Sequence, residues 1–375
     1  MSRRQSQLSP FSPNFGRTPS VFIDRSQLVS EIILGLGDKN SPYQTTLISG
    51  IRGCGKTALM ADICAIMKEK KDWIVADLTS GENLSESLLN LLYNNSTSDI
   101  RKLISRLDGI KVTAFGIQVE YSRGDQLGAG FRIILENILK TMKKKGKSLL
   151  VSIDEVDNSE QMKEFASVYQ LFIREDYPIS LIMSGLPKNI SALQNDKVLT
   201  FLLRSKRVDL EPLYVPSVFR TYEKVFTEEG FRTEKEALIR AARLTGGYAY
   251  AFQLLGYLLW KQTDMTIDDR AIDAVMTEYK NELFRNVYIK IYSELSGSDR
   301  EMIKAVAQCM DADKSAVAAY SEVRSFMDKP AGHVATYRRR LIDSQLLTSP
   351  EHGQLAFTLP LFKDFIMEDI LLFEE

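Results

Sequence analysis

The chain has 375 residues, 44% of them hydrophobic and 26% charged, with a formal net charge of −1. That is the make-up of an ordinary globular protein long enough for two or three domains, and a balance so near neutral gives no global pull toward nucleic acid or an anionic membrane. Three scattered cysteines (Cys54, Cys64, Cys309) exclude a disulfide framework or a zinc site, two histidines (His333, His352) leave little for imidazole chemistry, and the longest nearly apolar stretch, Ala249 to Trp260, is too short to span a bilayer. Free thiols point to a reducing cytoplasm.

Residues 1–20 are rich in Ser, Pro and Arg and read as a mobile or surface-hugging lead-in; Arg3-Arg4 precede no apolar stretch and make no export signal. A helix is expected through Leu34. Thr45-Thr46-Leu47-Ile48-Ser49 then reads as a buried strand, and Ala58 to Met67 as a helix. Between them, Gly50-Ile51-Arg52-Gly53-Cys54-Gly55-Lys56-Thr57 is a complete G-x-x-x-x-G-K-[ST] phosphate loop in the strand–loop–helix context it requires. Gly50, Gly53 and Gly55 let the backbone curl so that N–H groups from Gly50 to Ala58 point at phosphate oxygens. Lys56 supplies a cation for the β- and γ-phosphates, Thr57 a hydroxyl for Mg²⁺, and the helix start a positive dipole end. A nucleoside triphosphate is the expected ligand.

Trp73 to Leu78 is a second buried strand, residues 84–108 carry helical spacing, and Lys111 to Arg123 alternates around Gly116 as a hairpin would. Gly128-Ala129-Gly130 reads as a loop. The helix from Phe131 to Met142 ends in Lys143-Lys144-Lys145-Gly146-Lys147, a run that suits a solvated helix C-terminus, with nucleic-acid contact as the alternative. Ser148 to Glu155 is an apolar strand ending in two acids. There Asp154 is expected to hold Mg²⁺ with Thr57, and Glu155 to orient the attacking water. The strand from Ile179 ends at Ser184, a candidate for reaching the γ-phosphate or the water. Arg204 and Arg207 precede a last strand at the sheet edge; from there an arginine, Arg204 first, can reach the nucleotide of a neighbouring subunit, which implies self-association.

The alternation from 45 to about 213 predicts a parallel sheet covered on both faces. From 215 onward strands stop and four helices are expected: Val218 to Glu229, Thr233 to Leu244, Tyr248 to Lys261, and Asp268 to about Leu295. In the last part, helices are expected over Ser298–Gln308, Ala316–Met327 and Gly332–Asp343, followed by a wing hairpin from Leu346 to Thr358. Val334, Tyr337 and Leu341 form one apolar face of the third helix, which also carries Arg338, Arg339 and Arg340. Those arginines invite a DNA-groove reading. However, Ile291 to Glu375 holds nine Lys/Arg against fourteen Asp/Glu, a net of −5, which favours a protein partner or lid docking over DNA.

This order of features resembles the AAA+-related phosphate-loop ATPases, especially the archaeal-type and signal-transduction groups, and is similar to the origin-recognition initiators. The resemblance implies an α/β phosphate-loop core (21–213) after the lead-in (1–20), a helical lid (214–290) and a winged helix (291–375). It implies adenine contact by Phe22, Ile23 and Arg25, with Asp24 where glycine is usual. Gly246-Gly247-Tyr248-Ala249 matches the turn that opens a lid helix, but without the usual proline at Ala249 or an initiator's arginine. The reading is a slow ATPase switch using ATP and Mg²⁺. Alternatives are an ATP-dependent DNA-binding regulator that does not hydrolyse, and a small-molecule phosphate-loop kinase.

Overall fold

Among the described residues up to 210, seven runs become strands: β1 (Thr45–Ser49), β2 (Trp73–Thr79), β3 (Ile110–Thr113), β4 (Gly116–Val119), β5 (Ser148–Asp154), β6 (Ile179–Gly185) and β7 (Lys206–Asp209). The computed structural model describes residues 8–14, 21, 23, 25–81, 83–95, 101–102, 105, 110–113, 116–119, 127–262, 264–312 and 314–373. The chain divides into two compact units. One comprises Arg25–Ser49 with Lys56–Leu210; the other comprises Met1–Asp24, Gly50–Gly55 and Glu211–Glu375.

In the first unit the strand order is β2-β5-β6-β1-β7, and every pairing is parallel. β1 and β6 are buried at every position, the small polar side chains of Thr45, Thr46, Ser49, Ser180 and Ser184 included, which is why neither shows a regular polar–apolar alternation. Helices Lys56–Glu69, Leu84–Asn95, Leu127–Lys144 and Glu160–Arg174 belong to this unit. The apolar stripes of the last three (Leu88, Ile138, Phe165, Phe172) share one core with Leu47, Val151, Leu181 and Met183. β3 and β4 pair antiparallel, as the alternation predicts. Gly128-Ala129-Gly130 corrects the expectation of a loop, because it lies inside the helix Leu127–Lys144. A glycine costs a helix about 1 kcal/mol. The stripe of Phe131, Ile134, Leu135, Ile138, Leu139 and Met142, all buried, outweighs it.

The second unit is mainly helical: Val215–Glu228, Lys235–Leu244, Ala249–Trp260 and Asp269–Leu283, the last continuing through a π turn (Phe284–Tyr288) into Ile289–Ser293. Strands do not stop as expected, since β8 (Arg232–Thr233) and β9 (Thr266–Ile267) form a short parallel pair too brief to leave a periodicity. Residues 8–14 are held rather than loose. Phe11 packs edge-on against Tyr222 and Phe252 (ring centroids 5.7 and 5.8 Å), and the Ser12 N–H donates to Gln253 Oε1 (2.9 Å).

Beyond Ser296 come helices Gly297–Ala312, Tyr320–Met327 and Ala331–Asp343, with a small sheet β10-β12-β11 formed by β10 (Ala318–Ala319), β11 (Leu347–Thr348) and β12 (Gln354–Phe357). Val334 and Leu341 are buried and Tyr337 partly so, which is the apolar face read from the sequence. A further helix, Phe362–Phe373, was not anticipated; Phe362, Phe365 and Ile366 bury it in the unit's core.

Candidate functional site

The parallel sheet brings the carboxyl ends of β5 and β6 side by side, because Ile153 pairs with Met183 and leaves Asp154 next to Ser184. Three donors fix the Asp154 carboxylate. The Thr57 hydroxyl donates to Oδ2 (2.6 Å), the Glu155 N–H donates to Oδ1 (2.9 Å), and the Ser184 hydroxyl makes a short bond to Oδ1. Ser184 is fully buried, and its carbonyl accepts the Val156 N–H (2.8 Å). Its hydroxyl, expected to face the phosphate or the water, is therefore engaged in orienting Asp154.

Glu155 is exposed and has φ +57°, a left-handed conformation that costs a non-glycine residue about 1–3 kcal/mol. The hydrogen bonds on either side, Glu155 N–H to Asp154 and Val156 N–H to Ser184, hold it there. Thr57 and Asp154 offer oxygen donors only, the chemistry Mg²⁺ takes when phosphates and water complete its shell. Among the described residues no group of three or more His, Cys, Asp or Glu gathers as a metal cage.

Arg204 ends the short turn Thr200–Arg204 and is exposed beside Leu203 (61%), just ahead of the edge strand β7. Arg207 is committed within its own unit. Its guanidinium donates to Asp209 (2.9 and 3.1 Å), Ser191 (3.1 Å), Gln194 (3.2 Å) and Ser49 (3.4 Å). Within the same sheet unit, Cys64 Sγ donates to Ser152 Oγ (3.3 Å), and Ser152 in turn donates to Asp77 (2.5 Å). Burial pushes the Cys64 thiol up to about 11, so it stays protonated and unreactive.

The first six residues of the phosphate loop fold with the second unit. Gly53 and Gly55 have φ of +74° and +97°, where glycine is needed. The Tyr248 hydroxyl donates to the Arg52 carbonyl (2.6 Å), and the Tyr250 N–H donates to the Gly53 carbonyl (3.0 Å). A Cβ at Gly53 would lie 2.2 Å from the Tyr248 hydroxyl oxygen. Arg52 also pairs with Glu294 (3.1 Å). Burial pushes the Tyr248 phenol far above its ordinary range, so the hydroxyl remains a donor. Gly247 has φ +75°, and a Cβ there would sit 2.3 Å from the Leu213 carbonyl oxygen. The Gly-Gly turn thus presents two tyrosines to the loop's carbonyls. Tyr248, Tyr250 and Glu294 were missed as functional residues, and the tyrosines following Gly246-Gly247 were the only available signal.

Of the expected adenine-contact residues, Ile23 is buried in the second unit's core, and Arg25 caps the helix Ser26–Leu36 through its carbonyl to the Val29 N–H (2.9 Å). Phe22 lies outside the described residues. In the tail, Arg340 donates to Asp299 Oδ1 (2.8 and 2.5 Å) and Ser296 Oγ (3.1 Å), and Arg338 stacks on Tyr320 (4.9 Å) and donates to Ser349 (3.3 Å). Arg339 is 86% exposed, with only a distant Asp343 partner (3.7 Å). Two of the three arginines are therefore built into the module.

A family model described as a domain of unknown function (DUF8462) matches residues 285–366. No protein of curated function matches the sequence. Among solved structures, the chain is similar to a Walker-type ATPase of Pyrococcus abyssi (16% identity, 92% of this chain and 96% of that chain covered, TM-score 0.61). It is also similar to the ORC2 protein of Aeropyrum pernix in ADPNP–ADP complexes (12%, 96% and 98%, TM-score 0.60) and in its ADP form (14%, 96% and 97%, TM-score 0.53). The fold is that of the AAA+-related phosphate-loop ATPases. Among the described residues no helix is long and apolar enough to cross a membrane.

Proposed function

We propose that the protein is an ATP-binding, slowly hydrolysing switch whose nucleotide state is passed to a winged-helix module. The observation that carries this reading is the 2.6 Å contact between the loop threonine, Thr57, and the strand-end acid, Asp154, with Glu155 held beside them in a strained conformation. In this reading Gly50, Ile51, Arg52, Gly53, Cys54, Gly55 and Ala58 line the phosphates and Lys56 neutralises their charge. Thr57 and Asp154 hold Mg²⁺, which when bound spreads charge from the β- and γ-phosphates. Glu155 polarises water, and Ser184 keeps Asp154 in place. Phe22, Ile23 and Arg25 supply the adenine contact through backbone.

Arg204 is the residue for a neighbouring subunit's site, since it is exposed beside the exposed side chain of Leu203 at a sheet edge. The lid spans 214–290 and the winged helix 291–375. The net charge of −5 over Ile291–Glu375 and the internal engagement of Arg338 and Arg340 support a protein partner for this module rather than DNA. Three buried free cysteines suit a reducing cytoplasm. Steady-state phosphate release from Mg·ATP tests the reading. The expected result is slow, Mg²⁺-dependent release whose rate duplex DNA leaves unchanged. Tight ATP binding with no release would support the non-hydrolysing regulator instead, and a rate raised severalfold by DNA would restore the DNA reading.

A further inference from the structure

We propose that Tyr248 and Glu294 are positioning residues of the phosphate loop, and that through them the loop's grip on a nucleoside triphosphate is tied to the module beginning at Gly297. This rests on the nucleotide-binding reading above and adds its regulation. In a trans peptide the carbonyl and the following N–H point to opposite sides. Tyr248, by holding the Arg52 carbonyl at 2.6 Å, therefore fixes the direction of the Gly53 N–H. The Tyr250 N–H does the same for the next peptide through the Gly53 carbonyl (3.0 Å). The amide directions a phosphate needs are thus set by groups about 200 residues away in sequence.

Both tyrosine contacts lead onward. The Tyr250 hydroxyl accepts from Asn286 Nδ2 (3.0 Å), which lies in the π turn Phe284–Tyr288, and such turns recur at functional sites. Arg52 reaches Glu294, which caps the helix Ile289–Ser293 that follows that turn. From there the module takes hold. Arg300 donates to the Tyr292 and Ser293 carbonyls (3.1 and 2.8 Å), and Arg340, on the three-arginine helix, binds Asp299 and Ser296. Asp299 is nearly fully buried, so its pairing with Arg340 is a fixed joint rather than a loose surface contact. A movement of the three-arginine helix therefore has a route of hydrogen-bonded groups to the loop. Reciprocity requires that nucleotide binding bias the module equally.

The test measures Mg·ATP affinity and turnover for the parent, Glu294→Gln, Tyr248→Phe and Arg340→Ala, with circular dichroism and melting curves for each. Loss of a partly exposed ion pair at Glu294 should weaken affinity about three- to fivefold. Loss of the Tyr248 hydroxyl should weaken it up to about tenfold. In both, KM should rise while kcat holds within about twofold, because positioning the loop serves ground and transition states alike. Arg340→Ala should weaken affinity in the same sense, and combining it with Glu294→Gln should add little further loss, the sign of a shared route. Unchanged affinity in well-folded Glu294→Gln would overturn the inference even if Tyr248→Phe misfolds. Fully additive losses would overturn the link to the module. A parent that fails to bind Mg·ATP would overturn the nucleotide reading itself, and this inference with it.

Discussion

Lys56 and Thr57 open a helix of the parallel-sheet unit and share it with Asp154, Glu155 and Ser184. Gly50 to Gly55, their immediate neighbours in sequence, fold with the helical unit and give two carbonyls to Tyr248 and Tyr250. The sheet-borne half is set by local sequence, a strand end and a helix start, and its partners come from adjacent strands. The loop half is set by a turn near residue 248 and an acid at 294. The difference teaches that the two halves of the phosphate-loop motif are specified separately here: Lys56 and Thr57 are anchored in the sheet unit, and the backbone of Gly50 to Gly55 is shaped by the tyrosines of the helical unit.

Lys56→Ala breaks the sheet-borne half most severely. The loop loses its fixed cation, and Mg·ATP binding measured by calorimetry should fall below detection. A dissociation constant within about threefold of the parent would remove Lys56 from the phosphate site. Gly53→Ala breaks the loop half instead. Its methyl would meet the Tyr248 hydroxyl at 2.2 Å in a backbone with φ +74°, so one of the two must move. The expected cost is about 1–3 kcal/mol in thermal or denaturant unfolding, together with weaker ATP binding. An unchanged melting temperature would show that the loop is not gripped as described.

A smaller effect sharpens the comparison from inside the sheet. Burial raises the Cys64 thiol to about 11 in the folded chain, against an ordinary 9.0. The unfolded chain therefore loses this proton first, and the thiol's contribution to stability is full below pH 9 and lost as pH rises to about 11. Cys64→Ser should alter that alkaline slope and little else near neutral pH; an identical slope would mean that other groups govern it.

Sequence alone showed the sheet half well. The strand before Gly50, the acids after Ile153 and the edge strand after Arg204 each carried a local signature, and the phosphate-loop spacing is specific. Ser184 was found as a strand-end polar group, but its partner depends on β6 lying beside β5, which no local pattern encodes. The loop half was hidden for the same reason. Tyr248 reads only as part of the turn that opens a lid helix, and nothing local marks Glu294; the fold brings both to Arg52. Arg338, Arg339 and Arg340 invite a DNA-groove reading that the net charge of −5 weighs against; the partners that take Arg338 and Arg340 (Tyr320, Ser349 and Asp299) are brought close only by the folded module.

The most direct measurement of the account sets binding beside turnover in Glu155→Gln. Mg·ATP affinity should stay near that of the parent while phosphate release slows by about 10²-fold or more, the loss typical of a missing general base. Release at nearly the parent's rate would contradict it, because Glu155, held at φ +57° next to Asp154, would then be strained for no chemical end.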